Sequence, residues 1–436
     1  MRSGVYLDRA GGAVAVVDAN GVRASAAVDT PTSDVAGALR ALLRRLPEQL
    51  APTSVSIATS RFSDALADAS ELAPVAVLRL AHSDRSVLPP LSGWPGRLCS
   101  AVRGWSAVLP GGFDLTGRAL GDLDLPAVLR FAEDAANRGA RGLTVTAVGS
   151  PIRAEQEIAV AEAVHHAVPE LPVTLSHEIG GLGLLARENT AVLNAASRPL
   201  AERVADECRA VVDELLPGAA TLFTRHDAAA MNTEYLRRFP LAALEADTAA
   251  ALRGAAVLAE TGDAVVVDLR ADRARAGLVD NGFPRRATDA GVPPLSLPLP
   301  DVAVADDIGR TVSRLRGAAE PRPVVVTGTP ERAARVASAL GARCPADGVV
   351  AGAVGAAWAQ PAAEVDRVVV ESDDLDLATA IDRAGEEAMV RAVSAGARPD
   401  SVRIAEVRTG SVAYLPGSVY RVQVRATGVA AEVVRP

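Results

Sequence analysis

The chain has 436 residues, of which 49% are hydrophobic and 22% are charged, enough for a packed protein of roughly two to four domains. Its net charge of -8 and the lack of a basic, aromatic-interleaved run argue against nucleic-acid binding. All 45 cationic side chains are arginine, which excludes a P-loop lysine and a Schiff-base lysine.

The first region of the chain has the pattern of a β-hairpin followed by further α/β elements. Apolar runs alternate with turn residues, and Asn20-Gly21 is a strong signal for a tight hairpin turn. A Thr-Pro-Thr-Ser-Asp segment that ends at Asp34 predicts a helix cap. In chain order, the predicted elements are strands over 5–8, 13–18 and 22–28, a helix over 35–46 and a strand over 55–58.

The middle of the chain is predicted to be mostly helical, and the hairpin pattern then returns. Ala264–Asp268 is an apolar strand that ends in aspartate, and Asp280-Asn281-Gly282 is another hairpin signal. The other predicted elements are helices over 125–138, 155–168, 182–216, 305–315 and 331–340, strands over 143–148, 172–176, 276–279 and 323–328, and a proline-rich linker over 284–300. Ser372, Asp373 and Asp374 are predicted to cap a C-terminal helix of about 20 residues, followed by β-rich sequence.

The hairpin pattern thus occurs twice, first with Asp8 and again with Asp268 at the end of the leading strand. Two related halves of this kind are a feature of the actin-like ATPase fold, in which each half presents a hairpin turn to a nucleotide between them. The alternative is two unrelated hairpins in an ordinary α/β protein.

An ordered series of short motifs, spread over nearly the whole chain, resembles the hydantoinase/oxoprolinase family. The matching segments are Gly4-Val5, Val14 to Asp18, Thr30-Pro31, Ala58-Thr59-Ser60 with Ala65-Leu66, Gly111-Gly112-Phe113-Asp114 with Gly117, Ser150-Pro151 with Glu155-Gln156-Glu157, Leu175-Ser176-His177-Glu178, and Arg187-Glu188-Asn189-Thr190 with Asn194-Ala195 and Pro199. Each motif is weak by itself, but the order of the whole series is hard to obtain by chance.

The resemblance implies an A-type subunit that binds ATP with Mg²⁺ and activates a cyclic amide, or a related carbonyl substrate, for opening or carboxylation. It also implies an α/β fold of the actin-like (ribonuclease-H-like) two-lobe type, with a helical insertion and a small C-terminal α+β domain. We therefore expect an N-terminal lobe over 1–82, a central α/β and helical region over 83–260, a second actin-like lobe over 261–365 and the C-terminal domain over 366–436.

The sequence departs from the family at both nucleotide-binding hairpins. Where the family has Asp-x-Gly-Gly-Thr-x-Thr-Asp, the first hairpin has Tyr6 to Ala13, and the second has Asp268 to Arg275, which keeps only the first aspartate. Glycines matter there because the backbone must approach the phosphates closely. A two-residue slip onto Asp8 and the following glycine pair would restore part of the first loop. The predicted remnant of the nucleotide cleft consists of Asp8, Gly11, Gly12, Thr59, Ser60, Asp268, Arg270 and Gly328.

Arginines replace the small residues of these hairpins. In the family register, the cleft would be lined by Arg9, Arg270, Arg273 and Arg275. Guanidinium groups bind phosphate bidentately, so one interpretation is a cleft that holds an anion in a different way. The other interpretation is that these arginines form ion pairs with surface acids.

Five polar residues outside the hairpins still match the family and are candidates for a substrate or partner surface. They are Glu155, Glu157, His177, Arg187 and Asn194. Arg187 and Asn194 have an equal claim to satisfy buried polar groups. No catalytic residue can be assigned.

Other sites are disfavoured by spacing. The glycines from Gly181 onward match a dinucleotide fingerprint, but no repeated βαβ unit follows them. The five histidines lack metal-ligand spacing, so no metal site is predicted. The three cysteines are far apart, which is typical of a reducing cytosol, and no apolar run approaches the ~20 residues of a membrane span. These features predict a cytoplasmic protein without a membrane partner.

The sequence as a whole predicts a hydantoinase/oxoprolinase A-subunit-like protein with lost or altered ATPase activity. It would act as a scaffold or as a subunit of a larger complex, with a B-type subunit or a second copy of itself as partner. The alternative is an active ATP-dependent cyclic-amide hydrolase or carboxylase component with a rearranged phosphate loop, whose cofactors would be ATP and Mg²⁺.

Overall fold

The computed structural model describes residues 1–28, 34–82, 88–102, 104–270, 274–287, 295–317, 322–371, 376–412 and 418–431. The strands are β1 (Arg2–Asp8), β2 (Gly11–Asp18), β3 (Gly21–Val28), β4 (Ser54–Thr59), β5 (Ala76–Ala81), β6 (Trp105–Pro110), β7 (Leu143–Ala147), β8 (Val173–Leu175), β9 (Ala220–Thr224), β10 (Ala230–Asn232), β11 (Ala264–Asp268), β12 (Ala274–Asp280), β13 (Phe283–Pro284), β14 (Arg286–Ala287), β15 (Leu299–Pro300), β16 (Val302–Ala305), β17 (Val324–Thr327), β18 (Ala362–Val370), β19 (Arg403–Ser411) and β20 (Val419–Thr427). The helices are α1 (Val35–Leu43), α2 (Arg61–Asp68), α3 (Gly96–Val102), α4 (Leu125–Asn137), α5 (Glu155–Ala167), α6 (Ser176–Ile179), α7 (Leu184–Leu215), α8 (Thr233–Arg238), α9 (Ala246–Leu258), α10 (Ile308–Arg316), α11 (Pro330–Leu340), α12 (Ala351–Trp358) and α13 (Leu377–Ser394). Short 3₁₀ turns lie at Pro240–Ala243, Gly348–Val350 and Pro399–Ser401.

The N-terminal sheet has the strand order β10-β9-β4-β1-β2-β3. The predicted antiparallel hairpin is formed by β1 and β2, while β4 runs parallel to β1 and β9 runs parallel to β4. Successive side chains of a strand point to opposite faces. Val5 and Val14 therefore pack against α1 and α7, whereas Tyr6 and Ala15 pack against α12. Helices on both faces explain why β1 and β2 are almost continuously buried.

A second sheet repeats this local arrangement. Its strand order is β13-β12-β11-β17, and β16 also pairs with β12. The second predicted hairpin is formed by β11 and β12, and β17 runs parallel to β11 as β4 does to β1. Strand β11 ends at Asp268, as β1 ends at Asp8. The recurrence of the hairpin, predicted from the sequence, is confirmed at this level.

Two helices that the sequence analysis did not predict, α9 and α12, cross between these sheets. Helix α12 contacts β1, and α9 contacts β11. Their backbones approach closely, because a Cβ on Gly355 would overlap the carbonyl oxygen of Ala250 and lie 2.8 Å from the main-chain nitrogen of Gly254. Nearly every residue of both helices is buried, so neither shows the amphipathic pattern that reveals a helix in sequence.

The remaining elements form two further layers. A parallel sheet of order β6-β5-β7-β8 packs with α4 and α5 on one side and with α7 on the other. Helix α7 is 32 residues long and also packs against α1, so it joins this sheet to the N-terminal one. At the C-terminus, the antiparallel sheet β18-β20-β19 packs against α13.

Strand pairing corrects the predicted division of the chain. Strands β9 and β10 lie within the predicted central region 83–260, yet they complete the N-terminal sheet, because β9 pairs with β4. Strand β18 begins at Ala362, so the C-terminal sheet starts before the predicted boundary at 366. The predicted cap residues 372–374 lie outside the described residues, and Asp376 caps α13. The chain has a mixed α/β fold.

None of the helices in the described part of the chain combines the length and the apolar character that a membrane span requires.

Candidate functional site

The backbone amides of the turn between β1 and β2 are hydrogen-bonded to Asp8, the last residue of β1. One oxygen of Asp8 accepts hydrogen bonds from the backbone N–H groups of Ala10, at 2.8 Å, and Gly11, at 3.0 Å. Its other oxygen accepts a hydrogen bond from the Tyr6 hydroxyl at 2.6 Å. Gly11 and Gly12 lie inside β2, paired with β1, rather than in an open loop. At the predicted two-residue slip, the acid and the amides therefore satisfy each other.

The second hairpin sends an arginine into the space between the two sheets. Arg270 donates from Nε and Nη2 to the two carboxylate oxygens of Asp268, at 3.1 Å and 3.2 Å. Its guanidinium carbon lies 3.8 Å from the centre of the Tyr6 ring, and its Nη1 makes no hydrogen bond to any residue that the structure describes. Burial by itself would lower the pKa of Arg270, but Asp268 and Tyr6 raise it above its ordinary value. The arginine stays cationic. Residues 271–273, which include Arg273, lie outside the described residues.

A buried acid at the start of α9 lies next to this stack. Asp247 is 3% exposed, its Oδ2 is 3.6 Å from Arg275 Nη1, and its Oδ1 makes no hydrogen bond within the described ranges of the chain. That same Arg275 nitrogen donates to the Thr248 hydroxyl at 2.7 Å. Burial, helped by the Glu245 carboxylate and opposed by Arg275, raises the pKa of Asp247 to about 7. The folded protein therefore keeps a proton on this acid below neutral pH.

We expect the Asp247→Asn variant to be more stable than the parent at pH 8 and to lose most of that advantage at pH 5. The folded pKa of about 7 lies above the ordinary aspartate value of 3.8, so stability from this group is fully present below pH 4 and is lost as pH rises to 7. The whole difference corresponds to at most about 4 kcal/mol. Urea unfolding of both proteins at the two pH values measures it. An equal difference at both values would show that Asp247 titrates normally.

The other predicted cleft residues make local contacts at the ends of the parallel strands. Ser60 donates to Asp64 at 2.7 Å, and Thr59 accepts a hydrogen bond from the backbone N–H two residues later, so both serve the start of α2. Gly328, after β17, has φ +140°, and a Cβ there would lie 2.9 Å from Leu269 Cβ. The ends of β1 and β11 do meet, through Tyr6 and Arg270. The Ser60 and Thr59 hydroxyl groups make hydrogen bonds, whereas the buried hydroxyl of Thr327, next to Asp268, makes none among the described residues.

The arginines of the two hairpins have acidic partners. Arg9 is exposed and pairs with Asp64 at 2.6 Å and Asp68 at 2.9 Å. Arg270 and Arg275 pair with buried acids instead of surface acids. All three arginines thus form ion pairs, as the second interpretation predicted. Only Arg9 pairs with surface acids, since the pairs of Arg270 and Arg275 lie inside the cleft.

The five polar candidates outside the hairpins are mostly interior. Glu157 accepts hydrogen bonds from Ala147 N, Ser176 Oγ, His177 N and His177 Nδ1, at 2.7–3.0 Å. Burial would raise the pKa of Glu157, but these bonds, led by the one from the His177 ring, hold it below its usual value. Glu155 is the exception, since it is exposed and pairs with a neighbouring arginine.

Arg187 and Asn194 hold backbone in place. Arg187 is 1% exposed and donates from Nη1 to the carbonyl oxygens of Gly181, at 3.1 Å, and Leu182, at 2.9 Å. Asn194 donates to the carbonyl oxygen of Arg238 at 2.8 Å. Four of the five predicted residues are therefore buried, and Arg187 fixes the backbone of a glycine-rich segment, Gly180–Gly183.

A cavity of about 440 Å³ lies beside Gly180–Gly183, and sequence reasoning missed it. Its wall includes Arg225, His226 and Arg286, from segments far apart in the chain. The available signal was the glycine-rich segment itself, together with the charged run Arg225-His226-Asp227 directly after an apolar strand. Neither feature indicates by itself which distant residues complete the wall.

Two solved structures share the fold over nearly the whole chain. An ATP-dependent caprolactamase from Pseudomonas jessenii is 14% identical, with a TM-score of 0.74, and the match covers 100% of this chain and 89% of that chain. A nucleotide-free structure of acetone carboxylase, from a study of ATP-dependent acetone carboxylation, is 11% identical, with a TM-score of 0.61, and the match covers 98% of this chain and 88% of that chain. No protein-family model and no curated protein matches the sequence. At these identities the likeness is one of fold, and this chain shares its mixed α/β fold with two ATP-dependent enzymes.

Proposed function

We propose that this chain is an A-subunit-type member of the hydantoinase/oxoprolinase family that does not hydrolyse ATP and acts as a scaffold or subunit. In this proposal, the two hairpin-led sheets are the lobes of an actin-like fold, and the Tyr6–Arg270 contact lies where the lobes meet. The repeated hairpin, with a parallel strand beside it in each sheet, supports this arrangement.

The observation that carries the loss of ATPase activity is the occupied first hairpin. A phosphate grip needs backbone N–H groups that point at the ligand. The N–H groups of Ala10 and Gly11 instead donate to Asp8. The space beside that turn holds the Arg270 guanidinium, stacked on Tyr6. A bound triphosphate would have to displace an ion pair and a buried aromatic contact.

The fold neighbours support the family assignment. One is an ATP-dependent caprolactamase and the other carries out ATP-dependent acetone carboxylation. Opening of a cyclic amide and carboxylation are the two reaction types that the sequence resemblance implies. We infer that this chain keeps the fold used for those reactions and has lost the nucleotide grip.

Calorimetric titration with Mg-ATP tests the loss of the grip. We expect no saturable heat up to millimolar nucleotide, because Asp8 and Arg270 occupy the site. Saturable binding would support the alternative, an active ATP-dependent hydrolase or carboxylase component with a rearranged loop. In that case, Arg275→Gln should weaken binding, whereas Arg23→Gln, an exposed change at the opposite end of the sheet, should not.

Co-expression with a B-type hydantoinase/oxoprolinase subunit from the same genome tests the scaffold role. We expect the two chains to co-purify and to elute together by size exclusion with light scattering. A multiple of the chain mass in the absence of that subunit would indicate self-association. A monomer that binds no B-type subunit would contradict the scaffold role. Release of phosphate in the presence of a lactam or hydantoin would instead support the active-enzyme alternative.

A further inference from the structure

The cavity beside Gly180–Gly183 is separate from the hairpin cleft. Besides that segment, its wall comes from β14, the 3₁₀ turn at Pro240–Ala243, helix α8 and the C-terminal sheet. A volume of about 440 Å³ is within the range of small-molecule sites. It is much larger than a water-filled gap, so its lining determines what it can hold.

The position of the glycine segment is fixed from several sides. Asp366 accepts a hydrogen bond from Gly181 N at 3.1 Å, and Ser296 donates to Gly180 O at 2.8 Å. Arg187 holds the carbonyl oxygens of the same segment from behind. The wall is therefore built before any ligand arrives, which reduces the entropy cost of binding.

Part of the wall carries cations and a buried polar atom that makes no hydrogen bond within the part of the chain that the structure describes. His226 is 4% exposed, and its Nδ1 makes no hydrogen bond among the described residues. Burial lowers the pKa of His226 to about 4, so the ring is neutral and one of its nitrogens is a hydrogen-bond donor. Arg225 precedes it, is 6% exposed, and forms an ion pair with Asp227 through Nε at 3.3 Å, although this nitrogen makes no hydrogen bond among the described residues. Unpaired polar groups in a buried wall are costly unless a ligand satisfies them.

Guanidinium groups are the commonest charged groups of the wall. Among the described residues, five arginines and three carboxylates line the cavity, and the acids Asp227, Glu387 and Glu406, which pair with Arg225, Arg367 and Arg408, lie outside the lining. Two of the carboxylates are already paired: Arg286 donates to Glu364 at 3.0 Å, and Arg421 donates to Asp366 at 2.6 Å. The third, Glu178, pairs with Arg238.

Another part of the wall is apolar. It is formed by Tyr235, Phe239, Leu241, Leu295 and Leu297, and the Arg225 guanidinium carbon lies 5.7 Å from the centre of the Tyr235 ring. The Tyr235 and Phe239 rings lie 4.9 Å apart and form one aromatic surface. A simple inorganic anion would leave this surface unused, whereas an organic body would bury it.

We propose that this cavity binds a small organic acid, with its carboxylate toward Arg225, His226 and Arg286 and its apolar body against the aromatic surface. Guanidinium groups bind carboxylates through strong, charge-assisted hydrogen bonds. The proposed site shares no residue with the hairpin cleft, so a test of acid binding does not depend on the function proposed above.

The test uses 3-phenylpropanoate as the probe and its neutral amide, 3-phenylpropanamide, as the matched control, both by calorimetry on the full chain. We expect the acid to bind and the amide to bind at least about tenfold more weakly, because the amide lacks the charge. Inorganic phosphate should compete only weakly with the acid, since it has no apolar body. Equal binding of acid and amide, or no binding of either, would overturn the proposal.

Variants locate the site. Arg286→Gln should weaken binding of 3-phenylpropanoate about tenfold or more. Ala186→Trp should abolish binding by filling the cavity, and it removes no ion pair, so it carries the test even if Arg286→Gln fails to fold. Arg310→Gln is the control, because Arg310 is 88% exposed and lies outside the cavity. Circular dichroism checks each fold, and unchanged binding in a folded Ala186→Trp protein would rule this cavity out.

Discussion

We expect the Gly355→Ala variant to lose about 3 kcal/mol or more of unfolding free energy, or not to fold. The added methyl group would overlap the carbonyl oxygen of Ala250, which belongs to a helix backbone and cannot rotate away. Helices α9 and α12 would have to separate, and with them the two hairpin-led sheets that they contact. Urea unfolding followed by circular dichroism measures the change.

Gly385→Ala is the matched control for that variant. Gly385 also lies inside a helix, α13, but a Cβ there would lie 3.6 Å from the nearest atom, Ile404 Cδ1, which is an ordinary contact. Alanine is the better helix former by up to about 1 kcal/mol, so this variant should be slightly more stable than the parent. If both variants behave alike, the close crossing of α9 and α12 is wrong.

The second large effect concerns a buried ion pair between β5 and α7. Arg79, 2% exposed, donates from Nε and Nη2 to the two carboxylate oxygens of Glu188, 0% exposed, at 2.8 Å and 2.7 Å. Arg79→Ala would leave Glu188 charged and without its main partner in the interior. We expect a loss of about 3–5 kcal/mol in the unfolding free energy.

Two further variants give this prediction its controls. Arg138→Ala removes an exposed pair with Asp134 and should change stability by less than about 0.5 kcal/mol. The double variant Arg79→Met, Glu188→Leu removes both charges and should recover much of the loss, because the desolvation cost of the pair disappears with it. A single Arg79→Ala variant as stable as the parent would mean that Glu188 has another partner or takes up a proton.

Strands with clear turn signals were predictable from the sequence. The strand Ala264–Asp268 was predicted with both ends correct, and β1 to β4 were found close to their predicted positions. Apolar runs bounded by Asn-Gly or by an aspartate are local signals, and these strands need no distant information. The long helix α7 was equally visible, because its period extends over 32 residues.

The interior between the sheets was not predictable in the same way. Helices α9 and α12 consist mainly of alanine and glycine and are buried on all sides, so the polar face that identifies a helix is missing. The cavity was missed for a different reason. Arg225, Arg286 and Gly181 are far apart in the chain, and only the tertiary fold brings them to one wall.

The sequence predicted which residues lie near the candidate cleft, but not the hydrogen bonds that these residues make. Sequence placed Asp8, Asp268 and Arg270 in one region, and the Tyr6–Arg270 contact does bring the two hairpins together. What the sequence left open was the first turn, where Asp8 was a possible displaced acid. A two-residue turn lets that acid bind its own backbone, which is decided by hydrogen-bond geometry and not by residue type.

The Tyr6–Arg270 contact has a consequence for how this sequence can change over evolutionary time. Substituting Arg270 alone would leave the Asp268 carboxylate in the interior without its ion-pair partner. Substituting Tyr6 alone would remove the hydroxyl that bonds to Asp8 and the ring that covers the Arg270 guanidinium. Every single step toward an empty cleft therefore passes through a less stable chain. Once the contact is present, single substitutions that remove it are destabilising. We therefore expect variants of this protein to exchange these residues together or not at all.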